Sequence, residues 1–262
     1  MTVLSRERID AVVFDMDGVV TDTASVHAAA WKRLFDTYLS ERARNAGEAF
    51  VPFDPDEDYR RYVDGKPRYD GVRDFLASRG IVLPEGDVSD PPERETVAGL
   101  GNRKDAFFLA HIREHGVRPY ATTVELVGRL RAGGAKVAII SASRNMDEVL
   151  EAAGVRGLFD VEVDGRDAEA LGFPGKPDPA VFLEAARRLG VAPARAAVVE
   201  DALAGVEAGR RGGFALVVGV DRAGHPEALR AAGADVVVRD VAELRLDGES
   251  REEGGRQEKA LT

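Results

Sequence analysis

Two aspartates one residue apart, Asp15 and Asp17, end the apolar run Ala11-Val12-Val13-Phe14, and a second acidic pair, Glu200-Asp201, ends the run Ala196-Ala197-Val198-Val199. Carboxylates are hard oxygen ligands, and these two pairs suit Mg²⁺ with waters completing its octahedron. Mg²⁺ in turn points to phosphate. Asp15 is then the candidate nucleophile, forming an aspartyl phosphate while the metal and a lysine neutralise the transferring group. Lys176 suits that part, because the prolines around it in Pro174-Gly175-Lys176-Pro177-Asp178-Pro179 hold its loop and its head is a compact charge. Ser141, with Ala142 beside it, offers a hydroxyl and backbone N–H groups where a strand gives way to a helix, an ordinary phosphate cradle. Asp17 is the candidate general acid and base, giving a proton to the leaving oxygen and taking one from the acceptor. Singly, each acid also reads as a turn former or a helix cap. Their joint arrival at strand and loop ends is what points to chemistry.

The elements that must position these groups follow from periodicity. Short Val and Ile runs alternate with helical stretches rich in Ala, Leu, Glu and Arg, the pattern of an α/β fold with a parallel sheet. Strands are expected at 10–15, 136–140, near 159–163, at 196–199, 214–220 and 235–238. In such a sheet ligands sit at the carboxyl ends of the strands, so Asp15, Ser141 and Glu200 share one edge. Between Thr23 and about Val117 no strand is legible. Helices are expected there over 24–44, near 56–63 and 68–78, and over 103–115, with Trp31, Leu34, Phe35 and Tyr38 as a packing stripe. A stretch of that length is too long for a loop and should form a second, helical domain. The division predicted is therefore a discontinuous core, 9–22 with 118–246, a helical insert over 23–117, and a disordered tail over 247–262.

Composition narrows the class. The chain has 262 residues, 44% of them hydrophobic, a formal net charge of −10 and no cysteine. It can bury one large core plus a smaller one, and it excludes disulfides, thiolate metal sites and a cysteine nucleophile. No apolar run approaches the roughly 18 residues of a membrane span, and residues 1–8 lack a signal-like segment, so a cytoplasmic location is expected. The acidic charge argues against nucleic acid or an anionic membrane as partner. An anionic substrate would need local cations.

At this point the sequence resembles the haloacid dehalogenase superfamily. Phe14-Asp15-Met16-Asp17-Gly18-Val19, Ser141, Gly175-Lys176-Pro177-Asp178-Pro179 and Val198-Val199-Glu200-Asp201 look like its four motifs, with a helical cap inserted after the first. The resemblance implies a flavodoxin-like (Rossmannoid) core, Mg²⁺ dependence and the aspartyl phosphate route. It further implies that Asp15 meets the metal by its side chain, Asp17 by its backbone carbonyl, and Glu200-Asp201 directly or through water.

The cap is most similar to that of the β-phosphoglucomutase-like subfamily. Thr21-Asp22-Thr23 with His27 matches the hinge and cap-helix start, where Thr23 and His27 would hold Asp17 on closure. Gly65-Lys66-Pro67-Arg68 matches the arginine-bearing cap loop, Asn102-Arg103-Lys104 the Arg-Lys stretch, and Ser141-Ala142-Ser143-Arg144-Asn145 a family segment with lysine in place of Arg144. Gly65, Arg68, Lys104, Ser143, Arg144 and Asn145 would then contact the sugar or a second phosphate. The cap departs by being longer at 41–57 and 82–95. The expected reaction is β-D-glucose 1-phosphate to glucose 6-phosphate with glucose 1,6-bisphosphate as intermediate, alongside a disaccharide phosphorylase and in a monomer. A sugar-phosphate phosphatase is the alternative, and a catalytically silent binding module a remote one.

Overall fold

The computed structural model describes residues 3–247, so the tail expected over 247–262 falls, apart from Asp247, outside the described residues. Six parallel strands form the main sheet in the order β4-β3-β2-β5-β6-β7. They are β2 (Ala11–Asp15), β3 (Lys136–Ile140), β4 (Val161–Val163), β5 (Ala196–Glu200), β6 (Leu216–Val220) and β7 (Val236–Val238). A separate two-stranded piece pairs β1 (Val3–Leu4) with β8 (Arg245–Leu246), also in parallel. The two central strands, β2 and β5, are buried along their whole length, which is why both read as unbroken apolar runs and not as alternation.

Helices cover both faces. Leu126, Val127 and Leu130 of α4 (Ala121–Ala132) and Met146, Val149 and Leu150 of α5 (Met146–Ala152) pack on one side, against Val12, Phe14, Val137 and Ile139. On the other, α7 (Ala180–Leu189), α8 (Leu203–Arg211) and α9 (Pro226–Ala232) pack Phe182, Val206 and Leu229 against Val13, Ile140 and Val198. A short α6 (Gly165–Ala170), closed by a capping box between Asp164 and Asp167, lies between β4 and α7.

Between β2 and α4 the chain makes α1 (Ala24–Ala46), a π-helical turn at Tyr59–Val63, α2 (Arg68–Ser78) and α3 (Val97–His115). These have a core of their own, in which Trp31, Leu34 and Phe35 meet Phe53, Phe75, Leu76 and Leu100. The 41–57 stretch folds onto this core: Phe53 is buried, its N–H donates to Asp36 at 2.8 Å, and its carbonyl accepts from Lys32 at 3.0 Å.

Element boundaries differ from expectation where local signals are weak. Helix α3 starts at Val97 and not near Arg103. Thr96 caps it by accepting from Gly99 N–H at 3.0 Å, but Gly99 and Gly101 dilute the helical pattern. Both glycines are needed for contact: a Cβ at Gly99 would lie 2.3 Å from the Arg94 carbonyl oxygen, and one at Gly101 2.7 Å from the Tyr69 ring. Two-residue strands β1 and β8 were beyond reach of periodicity, and the strand expected from Phe214 begins at Leu216.

Candidate active site

Register puts the acids side by side. Asp15 pairs with Ile140, so Ser141 follows at the same level, and Phe14 pairs with Val199, so Glu200 does too. Oxygens of Asp15, Glu200 and Asp201 all lie within 4.8 Å of one another. Two glycines make room for them. A Cβ at Gly18 would sit 1.8 Å from Asp201 Oδ2, and one at Gly205 1.6 Å from Glu200 Oε1. Lys176 is buried against the cluster, its Nζ 2.5 Å from Asp15 Oδ1 and in contact with Glu200 Oε1. Burial works to lower the Lys176 pKa, but the Asp15 and Glu200 charges outweigh it and keep the ammonium charged. Burial pushes the Asp15 and Asp201 carboxyls up, and neighbouring carboxylates add to the shift. Two buried carboxylates and a half-buried one that crowd one another's charge, with glycines cut away around them, fit a divalent cation.

Asp17 is held apart from this cluster by groups from three places. Thr23 Oγ1 donates to its Oδ1 at 2.5 Å, Ser141 Oγ donates to its Oδ2 at 3.0 Å, and His27 Nε2 lies 3.2 Å from Oδ1 in an off-axis approach. Burial would raise the Asp17 carboxyl, but His27 and the hydroxyl donors outweigh it and hold it well below the usual range. His27 stacks on Phe108, and Lys104 Nζ lies 2.5 Å from its Nδ1. An ammonium can only donate, so Nδ1 accepts and the proton of a neutral imidazole sits on Nε2, facing Asp17. Burial and then the Lys104 charge push the His27 pKa down, in keeping with that tautomer.

The insert stands over these groups, and between it and the sheet layer lies a cavity of about 370 Å³. Gly65 takes a left-handed φ of +67°, and a Cβ there would lie 3.2 Å from Ala202 Cβ, so the cap loop rests on the loop after β5. Arg68 Nη1 pairs with Asp105 Oδ2 at 2.7 Å, and Asn145 Nδ2 donates to Asp105 Oδ1 at 2.7 Å. Arg144 faces Glu169 at 3.4 Å. Ser143 N–H donates to Ser141 Oγ, and Asn145 N–H to Ser143 Oγ, which winds the segment tightly beside Ala142. Asp15, Asp17, His27, Gly65, Arg68, Lys104, Ser141, Ala142, Ser143, Arg144, Lys176 and Asp201 all line this cavity; Thr23, Asn145 and Glu200 sit behind its wall.

Sequence reasoning passed over Tyr59, Asp64, Asp105 and Glu169, which line the cavity or pair with its cations. Asp64 and Asp105 each adjoin a residue that was singled out, Gly65 and Lys104, and that adjacency was the available signal. Trp31 belongs to the packing stripe as expected and also lines the cavity, with Lys104 Nζ 5.2 Å from its ring.

Comparison with known proteins identifies the family. The family model for haloacid dehalogenase-like hydrolase matches residues 9–213. A β-phosphoglucomutase of Mycobacterium bovis is 50% identical over 241 residues, which covers 91% of this chain and 92% of that one. The β-phosphoglucomutase of Bacillus subtilis is 32% identical, covering 90% and 92%. The crystal structure of β-phosphoglucomutase from Clostridium difficile superposes with a TM-score of 0.69 at 26% identity, covering 90% of this chain and 92% of that one. The chain belongs to the haloacid dehalogenase family, as an enzyme of its β-phosphoglucomutase-like branch.

Proposed function

We propose that the protein interconverts β-D-glucose 1-phosphate and glucose 6-phosphate through glucose 1,6-bisphosphate, by way of a phosphoryl group carried on Asp15. The observation that carries this reading is that one cavity is lined by two sets of anion-binding groups. Lys176 stands beside the acids, while Arg68 and Arg144 pair with Asp105 and Glu169, with Asn145 behind the wall on Asp105. A phosphatase needs one grip. A mutase needs two, because its bisphosphorylated intermediate must rebind with the ends exchanged.

In this reading Asp15, Glu200 and Asp201, with the Asp17 carbonyl, would hold Mg²⁺, which would supply charge neutralisation for the transferring phosphoryl group. An Asp15 carboxylate oxygen bonds to phosphorus as the bond from phosphorus to the sugar oxygen breaks, and Asp17 gives that oxygen its proton. In the return step Asp17 takes the proton of the other hydroxyl as that oxygen attacks the phosphoaspartate. Thr23, His27 and Ser141 place the Asp17 carboxylate for both transfers. The 23–117 insert acts as a cap, hinged where Asp22 N–H donates to the Arg118 carbonyl and Tyr120 N–H to the Val20 carbonyl. Those paired strands let the cap swing without losing its registration.

The test is to incubate the protein with Mg²⁺, β-glucose 1-phosphate and a trace of the bisphosphate. Glucose 6-phosphate without stoichiometric inorganic phosphate is expected; phosphate as the main product would make the protein a sugar-phosphate phosphatase. Asp15→Asn should abolish either activity, since an amide cannot be the nucleophile, and turnover near wild type would remove the mechanism.

A further inference from the structure

Asp105 stands in the middle of the second grip and uses both carboxylate oxygens there. Oδ2 takes Arg68 at the start of α2, and Oδ1 takes Asn145 at the start of α5, each at 2.7 Å. One side chain on α3 thus joins two helices of the insert to the segment that follows β3 in the sheet layer. Asn145 is itself buried, its side-chain amide held by this bond, while its backbone N–H donates to Ser143 Oγ. The Arg68 contact is made through Nη1. A guanidinium carries five N–H donors in a rigid fork, so one carboxylate oxygen leaves capacity for an anion in the cavity that Arg68 lines.

We propose that Asp105 is a positioning residue for the second phosphate. Braced from behind the cavity wall by Asn145, it holds Arg68 in place across the cleft between insert and sheet layer, so that the phosphate not being transferred meets a preformed fork instead of a mobile side chain. This rests on the two-phosphate reading of the cavity. Long charged side chains lose rotamer freedom when they bind, and a partner that imposes the bound geometry beforehand removes that cost from the binding step. Asp105 would therefore act on affinity for phosphosugars through Arg68, and would matter little for an aryl phosphate, whose one phosphate is the one transferred.

The test uses Asp105→Ala, Asp105→Asn and Arg68→Ala, each checked for folding by its thermal transition. Two readouts are taken: KM and kcat for β-glucose 1-phosphate, and inhibition by glucose 1,6-bisphosphate of the hydrolysis of an aryl phosphate. Asp105→Ala should raise the phosphosugar KM and the bisphosphate inhibition constant by roughly tenfold, the scale of a lost charge-assisted contact, with a much smaller change in kcat. Asp105→Asn, which keeps a hydrogen bond but not the charge, should fall between. In the Arg68→Ala background the same change should add less than about twofold, because the group it positions is gone. Equal losses with aryl phosphate and phosphosugar, or full additivity with Arg68→Ala, would overturn the proposal by showing a general structural effect. A lower KM would overturn it by showing that the carboxylate competes with phosphate. If the wild-type protein releases only inorganic phosphate, the mutase reading fails, while the bisphosphate inhibition constants still decide the role of Asp105.

Discussion

Asp17, which moves the proton in the proposed mechanism, ends a run of side chains in contact, Lys104 to His27 to Asp17. Lys104 is buried, and burial is the main cause that lowers its pKa to about 8. Below that pH it is an ammonium that fixes the His27 tautomer and adds a positive charge to the cavity; above it the charge is lost. The kcat/KM for a phosphosugar should accordingly fall as pH rises through about 8. A pH–rate profile of Lys104→Arg, whose charge persists, should show the alkaline fall displaced upward, and an unmoved limb would detach Lys104 from the site. At this scale much of the site was legible. Asp15, Asp17, Ser141, Lys176 and Glu200-Asp201 announce themselves because each ends an apolar run or sits in a proline-held loop. Asp64 and Asp105 do not, since a carboxylate in a turn or on a helix reads as solvated until tertiary packing turns it inward.

Helix α3 carries Lys104, Asp105 and Phe108, so its anchoring matters to the site. Thr96 does two jobs at its start, accepting from Gly99 N–H at 3.0 Å and donating to Asp90 Oδ2 at 2.7 Å within the 82–95 stretch. Thr96→Ala should lower unfolding stability by about 1 kcal/mol, the usual worth of such a cap, and somewhat more because the buried Asp90 loses one of its donors and keeps Arg94 and the Asp87 N–H. Chemical denaturation measures this, and a change within error would mean that the 82–95 loop anchors α3 without the cap. Periodicity found the sheet strands and α1, whose patterns are long. It lost the first six residues of α3 because Gly99 and Gly101 are there for close approach to Arg94 and Tyr69, and close approach is invisible to helical propensity. Helix α6 was missed for the opposite reason: it is only one and a half turns, and Asp164 with Asp167 spells its capping box in residues that also read as loop.

In the whole molecule, the acidic centre is the place where folding leaves like charges together. Asp15, Glu200 and Asp201 converge from β2 and β5, with Lys176 as the buried counter-charge. A cation that binds this folded arrangement and not the unfolded chain must raise stability by mass action, by about 2.7 kcal/mol at a hundred times its dissociation constant. Mg²⁺ should therefore raise the melting temperature in a concentration-dependent way that a chelator reverses, and Asp201→Asn should flatten the response. An equal response in that variant would place the cation elsewhere. The opposite end of the sheet has a consequence of another kind. Val3–Leu4 lies beside Arg245–Leu246, and Arg6 reaches both Asp247 and the Gly134 carbonyl, just ahead of β3. The chain thus enters and leaves this unit at neighbouring points, on the rim where the strands begin. The covalent order of the strands is in that sense arbitrary: joining those two points and cutting an exposed loop elsewhere would give a circular permutant with the same cavity.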